Sequence, residues 1–531
     1  MLKPRDLVLF VIVALSFSSC QPSPKQQNRQ ALRINLAEDP QTLDPRAARN
    51  LNDWAVMRMF FEGLTRIDKE EKPALALASK IEVSEDLKTY TFHLRPSRWS
   101  NGDPVTAEDF AYTWKKILDP QFPADYAFQL YVLKNGKAAK QGAVSLDEIG
   151  IEVVDPLKLK IELEQPTPYL LQLLASPCFY PVNKRVDQTD PTWMQKAETY
   201  VSNGPFLLTE LKHRDLIKVR KNEKYWDKDA VSLNEIEIVM VREETELKMF
   251  EKEELDWAGS PLSTLPVDAL KELKNEKILQ TKPILGTHFL RANVDRPPFN
   301  HPWIRWAFAL AVDRQSIIEH VMQGNQIPAT GLVPVALNLQ KEPYFQDADG
   351  KMALSLFDAS LKELGIERKK FPEITLTYVQ SERNHLLAQA LQQQWFEALG
   401  VRVKLEAVER KIYFDRISKQ DYQLCSGSWI ADFNDPINFL EIFKYKKAST
   451  NNTQWESPQF AQLLDTSSKL LDPEQRHEVL SQSERILVDE MPMIPIFHST
   501  LLYLKNKNLQ GVVLTSMGHI DFKWAYFEEQ K

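Results

Sequence analysis

Two periods of hydrophobic and polar positions alternate along the chain. A period of two predicts strands over Ala31–Leu36, over Thr89–Leu94 with Tyr90, Phe92 and Leu94 on one side, and over Glu235–Val241. Ile149–Val154 and Lys158–Leu163 alternate around the turn residues Asp155-Pro156, and Leu207–Glu210 with Leu216–Arg220 forms a second such antiparallel pair. A helical period runs over Ala107–Leu118, where Phe110, Trp114 and Ile117 share a face and Thr106 is placed as N-cap with Asp109 three positions on. After residue 275 the pattern restarts with a helix over Trp303–Val312, a strand over Ile374–Tyr378, a long helix over His385–Leu399 ended by Gly400, and a strand over Val401–Leu405. That strand, helix, strand succession is a βαβ unit and implies a parallel sheet, so the chain reads as α/β.

The first twenty residues follow another rule. Lys3 and Arg5 precede an apolar run from Leu7 to Phe17, and Ser18-Ser19 stand directly before Cys20. This is a secretory signal, too short to span a bilayer. The ending Leu15-Ser16-Phe17-Ser18-Ser19-Cys20 resembles a bacterial lipobox, in which the cysteine thiol is acylated and opens the mature protein. The alternative is a plain signal peptide cleaved nearby. Residues 21–30 are polar and aperiodic, the composition of a disordered tether.

Composition narrows the class. With 66 Lys plus Arg against 73 Asp plus Glu, a net charge of -7 and no basic run, nucleic acid is not expected as a partner. The 531 residues, 43% hydrophobic and 26% charged, suit about three lobes of a soluble globular body at roughly 150 residues each. Beyond the signal there are two cysteines, Cys178 and Cys425, either bridged or, as the blander reading has it, two buried free thiols. The nine histidines include no helical pair spaced for zinc, and there is no Walker loop, Gly-x-Ser-x-Gly elbow or Cys-x-x-Cys. Catalysis and cofactor chemistry therefore lack their usual carriers, and a binding protein without metal or cofactor is expected.

What is specific is a set of short strings. Thr42-Leu43-Asp44-Pro45, Phe61-Glu62-Gly63-Leu64, Trp99-Ser100-Asn101-Gly102-Asp103-Pro104, Asn203-Gly204-Pro205, Asn222-Glu223-Lys224-Tyr225-Trp226 and the Arg305 to Arg314 helix follow one another from Leu32 onward. In order and spacing they resemble the periplasmic solute-binding proteins of oligopeptide and dipeptide ABC importers. The resemblance implies a type 2 periplasmic-binding-protein fold: two lobes, a two-strand hinge, an additional domain, and closure on a peptide held extended. Partners implied are a peptide, the membrane permease and, through Cys20, the membrane itself, with the protein acting as a monomer in the periplasm or cell envelope. Domain I is expected from 31–52, 177–275 and 500–531, domain II from 53–176 and domain III from 276–499, with hinges near Pro283–Gly286 and Ile494–Ser499.

Site residues follow from the same resemblance. Asp432, in Trp429-Ile430-Ala431-Asp432-Phe433-Asn434-Asp435-Pro436, matches the aspartate that receives the ligand α-amino group, with Trp429 as an apolar wall and Ser428 and Ala431 beside it. Tyr126 and Asp39 match residues that face the peptide. Cys425-Ser426-Gly427-Ser428 stands where some relatives carry an arginine for the peptide carboxylate, so Arg383, His385, Arg410 and Arg416 are candidate replacements. Asp435, before Pro436, reads as a turn former. A different solute (dipeptide, murein peptide, nickel complex) and a secreted peptide hydrolase or adhesin on the same scaffold are the alternatives. Replacing Cys20 with Ser is expected to move the protein from the membrane to the soluble fraction on cell fractionation, because a tether without an apolar face offers no second anchor; a variant still sedimenting with membranes contradicts lipidation.

Overall fold

The computed structural model describes residues 30–528, save positions 49, 338, 449 and 471. Cys20 and residues 1–29 of the signal and tether therefore lie outside the described residues. Among the described residues no helix is long and apolar enough to cross a membrane. The chain is a mixed α/β body whose three main sheets are joined by helices and 3-10 turns.

The first sheet has the order Ala31–Asn35, Glu235–Val239, Leu216–Lys221, Phe206–Lys212, its outermost strand parallel to its neighbour and the others antiparallel. A second sheet is antiparallel throughout, with Ala78–Val83, Thr89–Leu94, Lys158–Glu162 and Ile151–Asp155 in that order. The predicted hairpin around Asp155-Pro156 is its far edge. Helix Ala107–Leu118 has the predicted bounds: Thr106 and Asp109 bond reciprocally as a capping box, and Phe110, Trp114 and Ile117 are buried. The long helix starts three residues earlier than its periodicity showed, at Glu382, because the Ser381 hydroxyl accepts from the Asn384 N–H and closes the first turn. It ends as expected at Gly400, whose φ of 68° is left-handed.

The third sheet has seven strands and two of them, Gln280–Ala292 and Met493–Lys505, are thirteen residues long. They pair antiparallel from Gln280↔Tyr503 to Pro283↔Thr500 and again from Thr287↔His498 to Arg291↔Met493. Between these stretches, Ile284, Leu285 and Gly286 oppose Ser499 alone, a bulge that breaks the ladder midway. Trp257–Gly259 pairs with the C-terminal end of Met493–Lys505, whereas Leu424–Ile430 pairs with the C-terminal half of Gln280–Ala292 and Ile374–Val379 and Val403–Val408 continue from it. Ile374–Val379 runs parallel to both Val403–Val408 and Leu424–Ile430, as the βαβ pattern requires. Cys178 and Cys425 are both buried free thiols, with no disulfide between them.

Three of the six short strings, those holding Glu62, Asn203-Gly204 and Tyr225-Trp226, have one structural meeting point. Glu62 is fully buried, and its carboxylate accepts from the Tyr225 hydroxyl at 2.6 Å, from Trp226 Nε1 and from Arg66 at 3.2 Å, with Lys523 Nζ 3.6 Å away. Its backbone exchanges two hydrogen bonds with the Asn203 amide, each 3.0 Å. Gly204 is required because a Cβ would come within 2.5 Å of the Phe60 carbonyl carbon. Arg66 in turn grips Asp521 with two bonds of 2.8 Å. Removing one member of a buried charge network costs about 3–5 kcal/mol, while half-exposed pairs are worth about 1 kcal/mol or less. Glu62→Ala is therefore expected to lower unfolding free energy by about 3–5 kcal/mol, and Glu162→Ala, which frees the half-exposed Lys134, by under about 1 kcal/mol; urea unfolding of both checks the contrast.

Candidate functional site

Strand Leu424–Ile430 pairs along its full length with Gln280–Ala292, from Ala292↔Leu424 to Gly286↔Ile430. On its other side Ile374–Val379 pairs with it only at Leu424 and Cys425. From Ser426 to Ile430, therefore, no strand lies along the second edge among the described residues. Unpaired backbone N–H and C=O groups in a row are a template for another extended chain. The edge opens at the carboxyl ends of three parallel strands, where open α/β sheets place their ligands.

The strand leads directly into Asp432, and local bonds hold that residue in place. The Ala431 N–H donates to the Leu285 carbonyl at 2.7 Å, inside the bulge of the long strand. Asn438 Oδ1 accepts from both Trp429 Nε1 at 2.9 Å and the Asp432 N–H at 3.1 Å. Asp435 does more than form a turn: it accepts from the Ile437 N–H and clasps Arg476 through two bonds of 2.8 Å, clamping the loop. Opposite, Tyr169 stacks on Phe433 at 3.9 Å and Gln172 accepts from the Asn434 N–H at 2.6 Å.

Asp432 is 5% exposed. Burial pushes its carboxyl up to about 7, with the Gln129 and Asn438 side chains pulling it partly back, and no cation is among the groups that shift it. Its Oδ2 has no hydrogen-bond partner among the described residues. Two other buried carboxyls are also pushed up to about 7 by burial, yet each is satisfied by donors: Glu484 by the Leu332 and Val333 N–H groups and Tyr344, Glu246 by Ser263 and Gly259. Those two hold loops. Asp432 offers a dehydrated acceptor to an incoming donor, and a cation with several N–H groups matches it best.

The other sequence-derived residues divide between this place and elsewhere. Ser428 is exposed on the free edge, Trp429 is half-buried beside it, and Ala431 is buried. Tyr126 packs edge-on against Trp54 at 5.5 Å and precedes the 3-10 turn Ala127–Val132, which brings Gln129 to Asp432. Asp39 receives the Arg214 N–H at 2.9 Å and faces His213 Nδ1 at 3.3 Å. Arg416 is paired with Glu406 at 2.6 Å, and His385 Nδ1 lies 2.6 Å from the Tyr378 hydroxyl. Arg410 is exposed at the first position of helix Arg410–Ser418, and Arg383 faces Glu243 of helix Glu243–Glu251, with burial lowering its guanidinium's pKa. Sequence reasoning missed Gln129, Asn438 and Cys178, whose thiol donates to Gln129 Oε1 at 2.8 Å. None of the three stands in a string with a chemical signature.

This architecture, a mixed sheet crossed by two long strands with a ligand edge at its carboxyl ends, defines the type 2 periplasmic-binding fold. The family described as "Bacterial extracellular solute-binding proteins, family 5 Middle" matches residues 72–451, and the chain belongs to it. It is 41% identical to the oligopeptide-binding protein OppA of Bacillus subtilis (strain 168), over 98% of this chain and 99% of that one. Among solved structures, OppA of Listeria monocytogenes bound to peptide is 27% identical, covers 95% of this chain and 100% of its own, and superposes with a TM-score of 0.82. The unliganded open form of a murein tripeptide binding protein, MppA, is 26% identical over 94% of this chain and 97% of its own, with a TM-score of 0.74.

A carboxyl whose pKa is higher folded than unfolded keeps its proton in the folded chain after the unfolded chain has released it, so its effect on stability turns unfavourable as pH rises between the two values. For Asp432 that window runs from the ordinary 3.8 to about 7. Asp432→Asn, which cannot ionise, is expected to be more stable than the parent without ligand at about pH 8, by on the order of 2–4 kcal/mol, with the difference vanishing near pH 4. Unfolding curves at the two pH values check it; an equal difference at both would place the ionisation elsewhere. Glu246 and Glu484 are present in both proteins and cancel.

Proposed function

We propose that this protein captures peptides in extended form between two lobes and hands them to an ABC permease, held at the outer face of a membrane by a lipid on Cys20. The observation that carries the reading is the unpaired strand edge Ser426–Ile430 running into the buried, cation-free carboxylate of Asp432. An edge binds the backbone common to all peptides, and a carboxylate at its end binds the ammonium that begins them. The relatives' names, oligopeptide-binding and bound to peptide, support the same ligand class.

In this reading Asp432 receives the α-amino group, Trp429 walls it from water, Ser428 and Ala431 flank the peptide backbone, and Tyr126 and Asp39 line the facing side. Arg410, Arg416 and His385 remain candidates for the far end, although Arg416 and His385 already have partners. The lobes proposed are the ones read from the sequence: 31–52, 177–275 and 500–531; 53–176; and 276–499. The bulge at Ile284–Gly286 against Ser499 supplies the point at which two long strands can flex, and a ligand touching both lobes favours the closed arrangement by its differential affinity. The higher TM-score to the peptide-bound relative than to the open one supports a closed form here.

Asp432→Asn keeps shape but leaves the ligand ammonium opposite a neutral amide, and truncating one side of a buried charge pair costs about 2–5 kcal/mol, about thirtyfold to several-thousandfold in affinity. N-acetylation of the peptide is expected to weaken the parent protein in the same range and to change the variant little, since both remove one ion pair. Calorimetry over the four combinations decides it: additive losses mean that Asp432 does not meet the amine.

A further inference from the structure

Alternate residues of strand Leu424–Ile430 share a face, so Cys425, Gly427 and Trp429 lie on one side of it. The antiparallel register adds Arg291, opposite Cys425, and Phe289, opposite Gly427, to that side. Arg291 is 8% exposed, and its guanidinium lies directly on the Gly427 backbone: a Cβ there would stand 1.7 Å from Nη1 and 2.8 Å from Cζ. The Arg291 guanidinium also covers the Phe289 ring at 4.8 Å. Only glycine leaves this seat open.

Among the described residues no carboxylate answers the charge. Buried Arg46, Arg66 and Arg314 each hold carboxylates, namely Asp44 with Asp187, Asp521, and Asp347. Around Arg291 the polar neighbours are the Cys425 thiol and the Tyr413 and Tyr422 phenols, all held neutral by burial. Its Nε has no hydrogen-bond partner, and no carboxylate pairs with it among the described residues. A buried guanidinium with an unused N–H and no carboxylate beside it is costly unless an anion completes it. Tyr413 donates to the Ser426 carbonyl, so Arg291 sits at the end of the free edge opposite to Asp432.

We propose that Arg291, seated on Gly427, is the receptor for a ligand carboxylate at the far end of the cleft. The proposal rests on the peptide-binding reading and sharpens it. Gly427 and Asp432 are five positions apart, the last two beyond the strand's end at Ile430, and an extended run of that length spans about 16 Å at about 3.3 Å per residue, comparable with an extended pentapeptide from ammonium to terminal carboxylate. The carboxylate comes either from the C-terminus, which makes a length near five residues the preferred one, or from an acidic side chain at about that position, which leaves length free.

The probes are pentaalanine, its C-terminal amide, and an amidated longer peptide carrying Glu or Gln at the fifth position, titrated by calorimetry into the parent protein, Arg291→Gln, Arg291→Lys and Gly427→Ala. Loss of the carboxylate is expected to weaken the parent about thirtyfold or more, Arg291→Gln to weaken the acid form equally, and the two losses together to exceed neither alone. Gly427→Ala, which displaces the guanidinium, is expected to weaken the acid form while leaving discrimination against N-acetyl peptide intact; with Arg291→Lys, it carries the test if Arg291→Gln does not fold. A penalty on amidating pentaalanine identifies the terminal carboxylate, and a penalty on Glu→Gln identifies the side chain. Variants that keep the parent's full preference for the acid form, or a parent with no preference, overturn the assignment. A parent that binds none of the peptides overturns the functional reading instead.

Discussion

The buried carboxylate of Glu62 is the constraint on which the arrangement of the chain depends. It draws together segments far apart in sequence: helix Leu51–Phe60 through Arg66 and Arg58, the Asn203-Gly204 turn, Tyr225 and Trp226, and the C-terminal Asp521 and Lys523. A charge so deep is tolerated only if every neighbour is placed to answer it, so one residue specifies the positions of many. Specificity of register, rather than net stability, is the plainest use of such a network. The same cluster accounts for three of the short strings without catalytic character, those around Glu62, Asn203 and Tyr225-Trp226: they are the partners of one buried ion and the turns that deliver them.

Against that rigid setting, the cleft is built from groups left unsatisfied. Among the described residues the edge from Gly427 to Ile430 has no strand beside it, and Asp432 Oδ2 and Arg291 Nε have no hydrogen-bond partner. Glu246 and Glu484 show the contrast, for they are equally buried and equally shifted yet bonded on all sides. Unsatisfied groups destabilise the free protein and strengthen binding when a ligand completes them, which is a form of preorganisation. Their fixed neighbours, Asn438, the Leu285 carbonyl and the Asp435–Arg476 clasp, keep them in place before any ligand arrives.

The two thirteen-residue strands tie that site to the interrupted ladder, the place we propose as the hinge. The Ala431 N–H bonds to Leu285 within the bulge itself, so the residue beside Asp432 is tied to the place where the ladder is interrupted. A contact at Asp432 and a rotation about the bulge thus share one backbone segment, and the stacked Tyr169 and Phe433 rings bring the opposing wall to the same loop. In the proposed function, closure and ligand contact are two descriptions of one change in population.

How much was legible beforehand depends on the range of the interaction. Helix Ala107–Leu118, the hairpin around Asp155-Pro156, the βαβ unit ending at Gly400 and the burial of Cys178 and Cys425 were readable because capping, turn chemistry and hydrophobic period act over a few residues. Asp432 was legible only through its neighbours in Trp429 to Pro436, whose order resembles a family's. The partners that give it its character were not: Gln129 and Cys178 lie far upstream on other elements, and nothing local marks them. Asp435 read as a turn residue because its partner Arg476 belongs to a distant helix. Arg291 and Gly427 are unremarkable letters until antiparallel register sets them face to face. Sequence by itself determined the elements, their class and the family pattern, since those rest on local periodicity; only the tertiary structure decided which buried charges are answered and which are left open, because that depends on chains brought together across the fold.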